Sequence, residues 1–278
     1  MNIAVIPNLR AAYAAALIEP VCAILRDAGA EVSVIRREGG LPNASEIADA
    51  LAGVDIAVAI GGDGTLVHIA KAAATADCPV LGLNGGHLGF LAGLEKEEIF
   101  RLAELPARHY IVEERSLLSV EIRSATTRKQ YIAMNEAVIS RGALSKLVTI
   151  KVKKGDDTIL DVYGDGVIFS TPTGSTAYSL SAGGPVIDPA VDCLLMTPVC
   201  PHSISDRPFV LPPQVTLTVC AAALDGTDAF LTVDGEENIA FPADATVTIS
   251  KAVSTAKLIR LGNASFYDAL KNKIERRK

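Results

Sequence analysis

Val54-Asp55-Ile56-Ala57-Val58-Ala59-Ile60-Gly61-Gly62-Asp63-Gly64-Thr65-Leu66 contains a strand, a glycine-rich turn and the start of a helix. Its first part is apolar and rich in β-branched residues, the pattern of a parallel strand covered on both faces. Gly61, Gly62 and Gly64 are expected to take backbone conformations closed to other residues and to let a ligand come close to the main chain. Leu66, Ile69, Ala70 and Ala73 recur at helical spacing, so a helix begins within a residue or two of Asp63. Its free amides and positive dipole end then lie beside the glycines, a geometry that suits a phosphate.

Asp63 is the unusual member of the turn. A carboxylate placed where phosphates are expected either caps the helix, since Asp is among the best N-caps, or orients a hydroxyl, or holds a metal through water. No Gly-Lys-Ser/Thr follows, which excludes the common P-loop, and the glycine spacing differs from that of the dinucleotide fingerprint.

Upstream, residues 2–6 read as a strand and 11–28 as an alanine-rich helix closed by Gly29. A second strand over 31–35, a short helix over 45–51 and a strand over 79–83 complete a βαβα rhythm up to about residue 105. That rhythm marks an open parallel sheet with helices on its faces, whose ligands bind beyond the carboxyl ends of the strands. The loops 61–65 and 84–90 both fall there. From about His109 the pattern changes to strands without helices between them, over 110–123, 131–140, 147–153, 167–170, 215–221, 230–233 and 246–251, with turns such as Lys154-Gly155-Asp156. The expected fold is therefore α/β followed by all-β: an open parallel α/β domain over 1–106 and a sandwich-like antiparallel domain over 107–255. Residues 256–278 are expected to return to the first domain, ending in a polar helix over 264–278 with a basic Arg276-Arg277-Lys278 tail.

No apolar run approaches the roughly 18 residues needed to span a bilayer. The start, Met1-Asn2-Ile3-Ala4-Val5-Ile6-Pro7, lacks a basic stretch before an apolar one, so no signal peptide and a cytoplasmic location are expected. Cys22, Cys78, Cys193, Cys200 and Cys220 form neither Cys-x-x-Cys pairs nor a zinc-spaced cluster. All five read as buried small apolar residues. A net charge of -6 argues against a nucleic-acid surface. An anionic ligand must then be held by backbone amides, a local Arg or Lys, or a cation.

Two further stretches carry polar groups in unusual density. After Gly164-Asp165-Gly166 a strand leads into Thr171-Pro172-Thr173-Gly174-Ser175-Thr176-Ala177-Tyr178-Ser179, with Ser181 and Gly183-Gly184 beyond. Ser175 or Thr176 can serve as the N-cap of a short helix, or the run can form a wall of donors for a ribose or phosphate. Asn135-Glu136 interrupts an apolar strand. Adjacent strand residues point to opposite faces, so either one of the pair faces solvent or the strand bends and brings both to one pocket.

Taken together these motifs resemble the NAD kinases. Gly61-Gly62-Asp63-Gly64-Thr65 is shared with diacylglycerol-type lipid kinases and phosphofructokinases. The succession of Leu88-Gly89-Phe90-Leu91, Asn135-Glu136, Gly164-Asp165-Gly166 and the Thr171–Tyr178 run is similar to that of NAD kinases, the Asn-Glu pair and the long run together setting them apart from the lipid kinases, and Cys200-Pro201-His202-Ser203, Arg207-Pro208 and Asp234-Gly235 also resemble that family. The resemblance implies phosphoryl transfer from ATP to the 2′-hydroxyl of the adenosine ribose of NAD, giving NADP, with the site between the domains. Asp63 would orient and deprotonate that hydroxyl. Gly61, Gly62, Gly64 and Thr65 would bind phosphate, Asn135 and Glu136 the hydroxyls of NAD, and Asp165 the nicotinamide end. Thr176, Ala177 and Tyr178 would line the adenine and ribose side with Thr173, Ser175 and Ser181 near them, and Phe90 would pack on adenine. Mg²⁺ or another divalent cation would arrive on the triphosphate, with no protein metal site, nucleic acid or membrane involved and a homodimer or homotetramer expected. Asn8-Leu9-Arg10 matches only loosely the basic first loop of the family. His87 reads as a surface or capping residue more than a ligand, His202 as a turn residue, and Asp234-Gly235 as a hairpin signal. The rival readings are a small-alcohol or lipid kinase of the same superfamily and a non-catalytic NAD sensor.

Overall fold

The computed structural model describes residues 1–85, 89–142, 146–223, 229–261 and 266–275. The chain forms two compact units, Met1–Arg115 with Thr255–Lys278, and Ser116–Ser254. The cuts fall inside two long strands.

The first unit alternates β1 (Asn2–Pro7), α1 (Ala12–Asp27), β2 (Glu31–Val34), α2 (Ala44–Ala50), β3 (Ile56–Ile60), α3 (Asp63–Thr75), β4 (Val80–Asn84) and β5 (Leu94–Glu95). The strands run parallel in the order β2-β1-β3-β4-β5. All five residues of β3 are buried, as a strand covered on both faces requires. Helix α1 ends in a Schellman turn: Ala30 N–H donates to Leu25 O, Gly29 N–H donates to Arg26 O, and Gly29 has φ +90°. Chain order reverses direction across the sheet between β1 and β3, the switch point at which open α/β sheets receive ligands. The loop after β1 and the glycine turn after β3 both open at that point, and Asn8 Nδ2 donates to Thr65 Oγ1 across it at 2.9 Å.

The second unit contains most of β6 (Ile111–Arg123), β7 (Arg128–Ala133), β8 (Glu136–Arg141), β9 (Val148–Lys154), β10 (Asp157–Gly164), β11 (Gly166–Ser170), the short helix α4 (Tyr178–Ser181), β12 (Leu194–Val199), β13 (Phe209–Leu211), β14 (Leu217–Ala223), β15 (Ala229–Val233), β16 (Glu237–Phe241) and the start of β17 (Thr246–Arg260). One antiparallel sheet runs β10-β9-β14-β17, β6 pairs with β7, and a second sheet runs β13-β12-β11-β8-β15-β16. Ala137, Ile139, Val167, Phe169, Met196 and Leu231 of the second sheet share one core with Val120, Val148, Ile150, Val219 and Val247. This is the expected sandwich.

The second sheet's other face is chemically different. Strand alternation places Glu136, Val138, Ile168, Ser170, Thr197 and Val199 there, and Ala182 packs over the Val138–Ile168–Val199 cluster.

Several expectations need correction. The strand expected over 131–140 is two strands, broken at Met134-Asn135. The last strand extends nine residues past 251. Strands β10 and β12 were not anticipated. Pro198 argues against a central strand, yet it is tolerated because β13 pairs only with Leu194–Met196 and leaves that edge open at Pro198. Cys22, Cys78 and Cys193 are buried, but Cys200 and Cys220 are exposed. The terminal helix spans Phe266–Glu275. His87, Leu88, residues 264–265 and the Arg276-Arg277-Lys278 tail lie outside the described residues. Phe169 is fully buried at the centre of the sandwich, so Phe169→Ala is expected to cost about 3–5 kcal/mol in urea unfolding followed by circular dichroism.

Candidate active site

Asp63 is the first residue of α3, and Gly62 occupies the cap position. Having no side chain, Gly62 cannot accept from the first-turn amides. The Asp63 carboxylate reaches to the loop before β5, where Phe90 N–H donates to Oδ2 at 2.8 Å and Leu91 N–H to Oδ1 at 3.2 Å. The loop is pressed against the carboxylate so closely that a Cβ on Gly89 would stand 2.0 Å from Asp63 Oδ1.

None of Gly61, Gly62 and Gly64 has a positive φ, contrary to the conformational reason expected for them. Space is the reason at Gly61, where a Cβ would lie 2.4 Å from Thr65 Oγ1. At Gly62 and Gly64 nothing among the described residues outside their own chain neighbours and helix stands within 4 Å of where a Cβ would be, so that side of each glycine leaves room for a ligand. Thr65 is buried and bonded to Asn8, whose Oδ1 accepts from Arg10 N–H at 3.1 Å. Arg10 Nε is engaged by Gly39 O at 3.0 Å. Phe90 is buried, with 8% of its surface exposed.

In the second unit the break between β7 and β8 has a clear cause. The Asp234 carboxylate accepts from Met134, Asn135 and Glu136 N–H at 2.8, 2.8 and 2.9 Å, and Asp234 N–H returns a bond to Glu136 O. At the strand break these three amides donate to no strand partner, and one carboxylate satisfies them all. Asp234 has φ +47° and Gly235 φ +71°, which makes the tight turn between β15 and β16. Asn135 is half-buried, and its carbonyl accepts from Thr171 N–H at 3.0 Å. A Cβ on Gly174 would lie 2.1 Å from that oxygen.

Glu136 is buried, and Tyr178 N–H bonds to its carboxylate, but Oε2 has no hydrogen-bond partner among the described residues. Burial first, and then the nearby Asp234 charge, push the Glu136 carboxyl up to about 7 against the pull of the Tyr178 amide.

The hydroxyl run divides by role. Ser175 is fully buried and exchanges two bonds with the Ile187 backbone, at 3.0 and 3.3 Å. Thr171 Oγ1 donates to Met134 O at 2.6 Å and accepts from Gly174 N–H, and Ser179 bonds Thr197. Those three hold the segment in place. Thr173 and Thr176 are buried and joined through Thr176 Oγ1 and Thr173 O, Ala177 is half-buried, and Tyr178 and Ser181 are exposed. A cavity of about 280 Å³ is lined by Ser140, Arg141, Gly142, Asp165, Tyr178 and Val199. On its wall Arg141 Nε meets Asp165 Oδ1 at 2.6 Å, with both side chains about one-third exposed. A pair so wet contributes no more than about 1 kcal/mol to stability, and its value lies in fixing the carboxylate's direction. Gly166 lets β11 approach Ile139 O, 2.5 Å from where a Cβ would be. His202 stacks obliquely near Tyr163, with ring centroids 6.0 Å apart.

Residues 14–110 match the family model described as the ATP-NAD kinase N-terminal domain, and residues 134–261 match the ATP-NAD kinase C-terminal domain. A protein named NAD kinase from Symbiobacterium thermophilum is 42% identical over 80% of this chain and 78% of its own. Another, from Moorella thermoacetica, is 40% identical over 78% and 70%. The chain belongs to the NAD kinase family. Its fold is also that of two solved structures. A yeast NADH kinase complexed with NADH has a TM-score of 0.81 at 23% identity, covering 99% of this chain and 87% of that one. An NAD kinase from Archaeoglobus fulgidus in complex with ATP has a TM-score of 0.77 at 22% identity, covering 99% of each. Family membership makes the protein a phosphotransferase with NAD kinase function.

Two residues that the structure places at this candidate site were not given their place by sequence reading. Arg141 carried no signal beyond being a lone basic residue at a strand end. Asp234 was visible as half of an Asp-Gly hairpin signal, but that signal does not say where the carboxylate points.

The folded Glu136 carboxyl binds its proton more tightly than the unfolded one. Its contribution to stability is therefore present below about pH 4.5 and is lost as pH rises through about 7. Glu136→Gln removes the buried charge, so the substituted protein is expected to gain up to about 3 kcal/mol on wild type above pH 8 and much less at pH 5. Thermal unfolding at the two pH values checks this.

Proposed function

We propose that the protein moves the γ-phosphoryl group of ATP to the 2′-hydroxyl of the adenosine ribose of NAD, with Asp63 as the group that orients and deprotonates that hydroxyl. The new bond joins the ribose O2′ to the γ-phosphorus, the bond from that phosphorus to the β,γ-bridging oxygen breaks, ADP leaves, and the hydroxyl proton passes to Asp63. The observation that carries this reading is the Asp63 carboxylate fixed through both oxygens at the head of α3, next to the room left at Gly62 and Gly64. Phosphoryl transfer asks chiefly for alignment and charge neutralisation. Backbone amides at the helix start supply part of the neutralisation, and a divalent cation such as Mg²⁺ enters with the triphosphate as part of the substrate.

On the NAD side the buried Oε2 of Glu136 is an acceptor that a ribose hydroxyl would satisfy, and Asn135 stands beside it at the same strand break. Asp165, Tyr178, Ala177, Thr173, Thr176 and Ser181 complete the proposed contact set, with Asp165 aimed by Arg141. Phe90 would present an edge to adenine, its ring being mostly covered. Ser175 supports this set by holding residues 175–187 together. We also assign the protein to the cytoplasm and to a homo-oligomer. Among the described residues no helix is long and apolar enough to cross a membrane.

Asp63→Asn tests the reading. The amide keeps the size of the side chain but offers an NH₂ group where one backbone N–H now donates, and it cannot take a proton from the hydroxyl. NADP formation from ATP, Mg²⁺ and NAD is expected to fall by at least about a hundredfold, while calorimetry still detects NAD binding. Turnover that survives the substitution would remove Asp63 from the chemistry, and a wild-type protein that binds NAD without forming NADP would be a sensor.

A further inference from the structure

The loop that holds Asp63 is itself held from the other side. Arg260, near the end of β17, donates from Nη1 to Ala92 O at 3.0 Å and from Nη2 to Phe90 O at 3.4 Å. Phe90 O and Leu91 N–H belong to one peptide group, and that N–H is the donor to Asp63 Oδ1. This planar unit is thus engaged by a guanidinium at its carbonyl and by the carboxylate at its amide. The next clamped unit works likewise: Ala92 O meets Arg260, and Gly93 N–H donates to Gly82 O of β4 at 3.0 Å. A Cβ on Gly93 would stand 2.7 Å from Ile259 O, so the loop lies directly against the strand that carries Arg260.

Arg260 is in turn aimed by Glu113. Its Nε meets Glu113 Oε2 at 3.2 Å, and Arg115, almost wholly buried, bonds the same oxygen. Burial alone would raise the Glu113 carboxyl; the Arg115 and Arg260 guanidiniums more than reverse that and hold it below its ordinary range. A planar guanidinium uses three nitrogens here on three acceptors, which a lysine ammonium at the end of a flexible stem cannot reproduce. We infer that Arg260 is a positioning residue for phosphoryl transfer: it sets the Phe90–Leu91 peptide group, whose amide helps hold the Asp63 carboxylate in its working orientation, and anchors the same loop again at Ala92 O. Glu113 and Arg115 keep the guanidinium in that pose. The inference rests on the reading of Asp63 as proton acceptor and adds a residue that contacts neither nucleotide nor the reacting atoms.

The test is steady-state kinetics of Arg260→Ala beside Asp63→Asn, with thermal unfolding as a control. Misdirecting a reacting group by a fraction of an ångström is expected to lower kcat on the order of tenfold or more. KM for ATP should stay near wild type, and any rise in KM for NAD through Phe90 should be smaller than the fall in kcat. Guanidinium ion added to Arg260→Ala should restore part of kcat, and sodium chloride at equal ionic strength should not. Wild-type kcat in Arg260→Ala, a loss seen mainly in KM, or a loss that guanidinium does not relieve would overturn the inference. Should the alanine variant fail to fold, Arg260→Lys decides: reduced kcat with retained KM for ATP supports it, and wild-type kcat overturns it. If Asp63→Asn keeps its turnover, the reading of Asp63 has failed whatever Arg260 does. If Asp63→Asn is inactive and Arg260→Ala is not impaired, only the positioning role has failed.

Discussion

A carboxylate that accepts backbone amides from a loop far away in sequence is the constraint on which both halves of this protein depend. Asp63 does this for Phe90 and Leu91, and Asp234 does it for Met134, Asn135 and Glu136. Loops that leave a sheet carry N–H groups with no ladder partner, and burying such groups unpaired is costly. A side chain that satisfies two or three at once fixes the loop's path. Bonds to an ionised acceptor are worth more than neutral ones, of order 1.5–3 kcal/mol each before couplings. Stability and site geometry therefore come from the same contacts.

The sequence made some of this readable and hid the rest for physical reasons. Strand β3 and the start of α3 were legible because an apolar β-branched run, a glycine cluster and a 3.6-residue repeat follow one another without interruption. The sandwich was legible as a class because alternation is a local property. The break at Met134-Asn135 was not, because its cause is Asp234, about a hundred residues downstream, and an Asp-Gly hairpin looks the same whether its carboxylate meets water or three amides. Arg260 was equally silent. A single arginine in a strand reads as a solvent-facing residue until the loop carbonyls beside it are known.

The glycines illustrate how the right residue can be noticed for the wrong reason. Gly61 sits where backbone freedom was expected, yet its φ is ordinary and what matters is the room it leaves for Thr65. Gly89 and Gly174 do the same for Asp63 and for the carbonyl of Asn135. In each case a methyl group would collide with an atom of a proposed binding or catalytic residue or of its support. Glycine in these loops sets how closely two segments approach, and the distances of the site follow from that.

Glu136 shows what such closeness costs. It lies opposite Ser170 in the β8–β11 pair, on the face of the sheet turned away from the core. Glu136 Oε2 and Ser170 Oγ are the two buried side-chain atoms that lack a hydrogen-bond partner among the described residues. Each such atom costs about 1–3 kcal/mol relative to a satisfied one, and Asp234 adds repulsion to the first of them. A protein built only for stability would replace this pair with apolar side chains, as it does one position further along, where Val138 faces Ile168. Keeping two unsatisfied oxygens side by side makes sense where a ligand hydroxyl supplies the missing bonds. A ligand hydroxyl that made those bonds would recover that cost as part of its binding free energy.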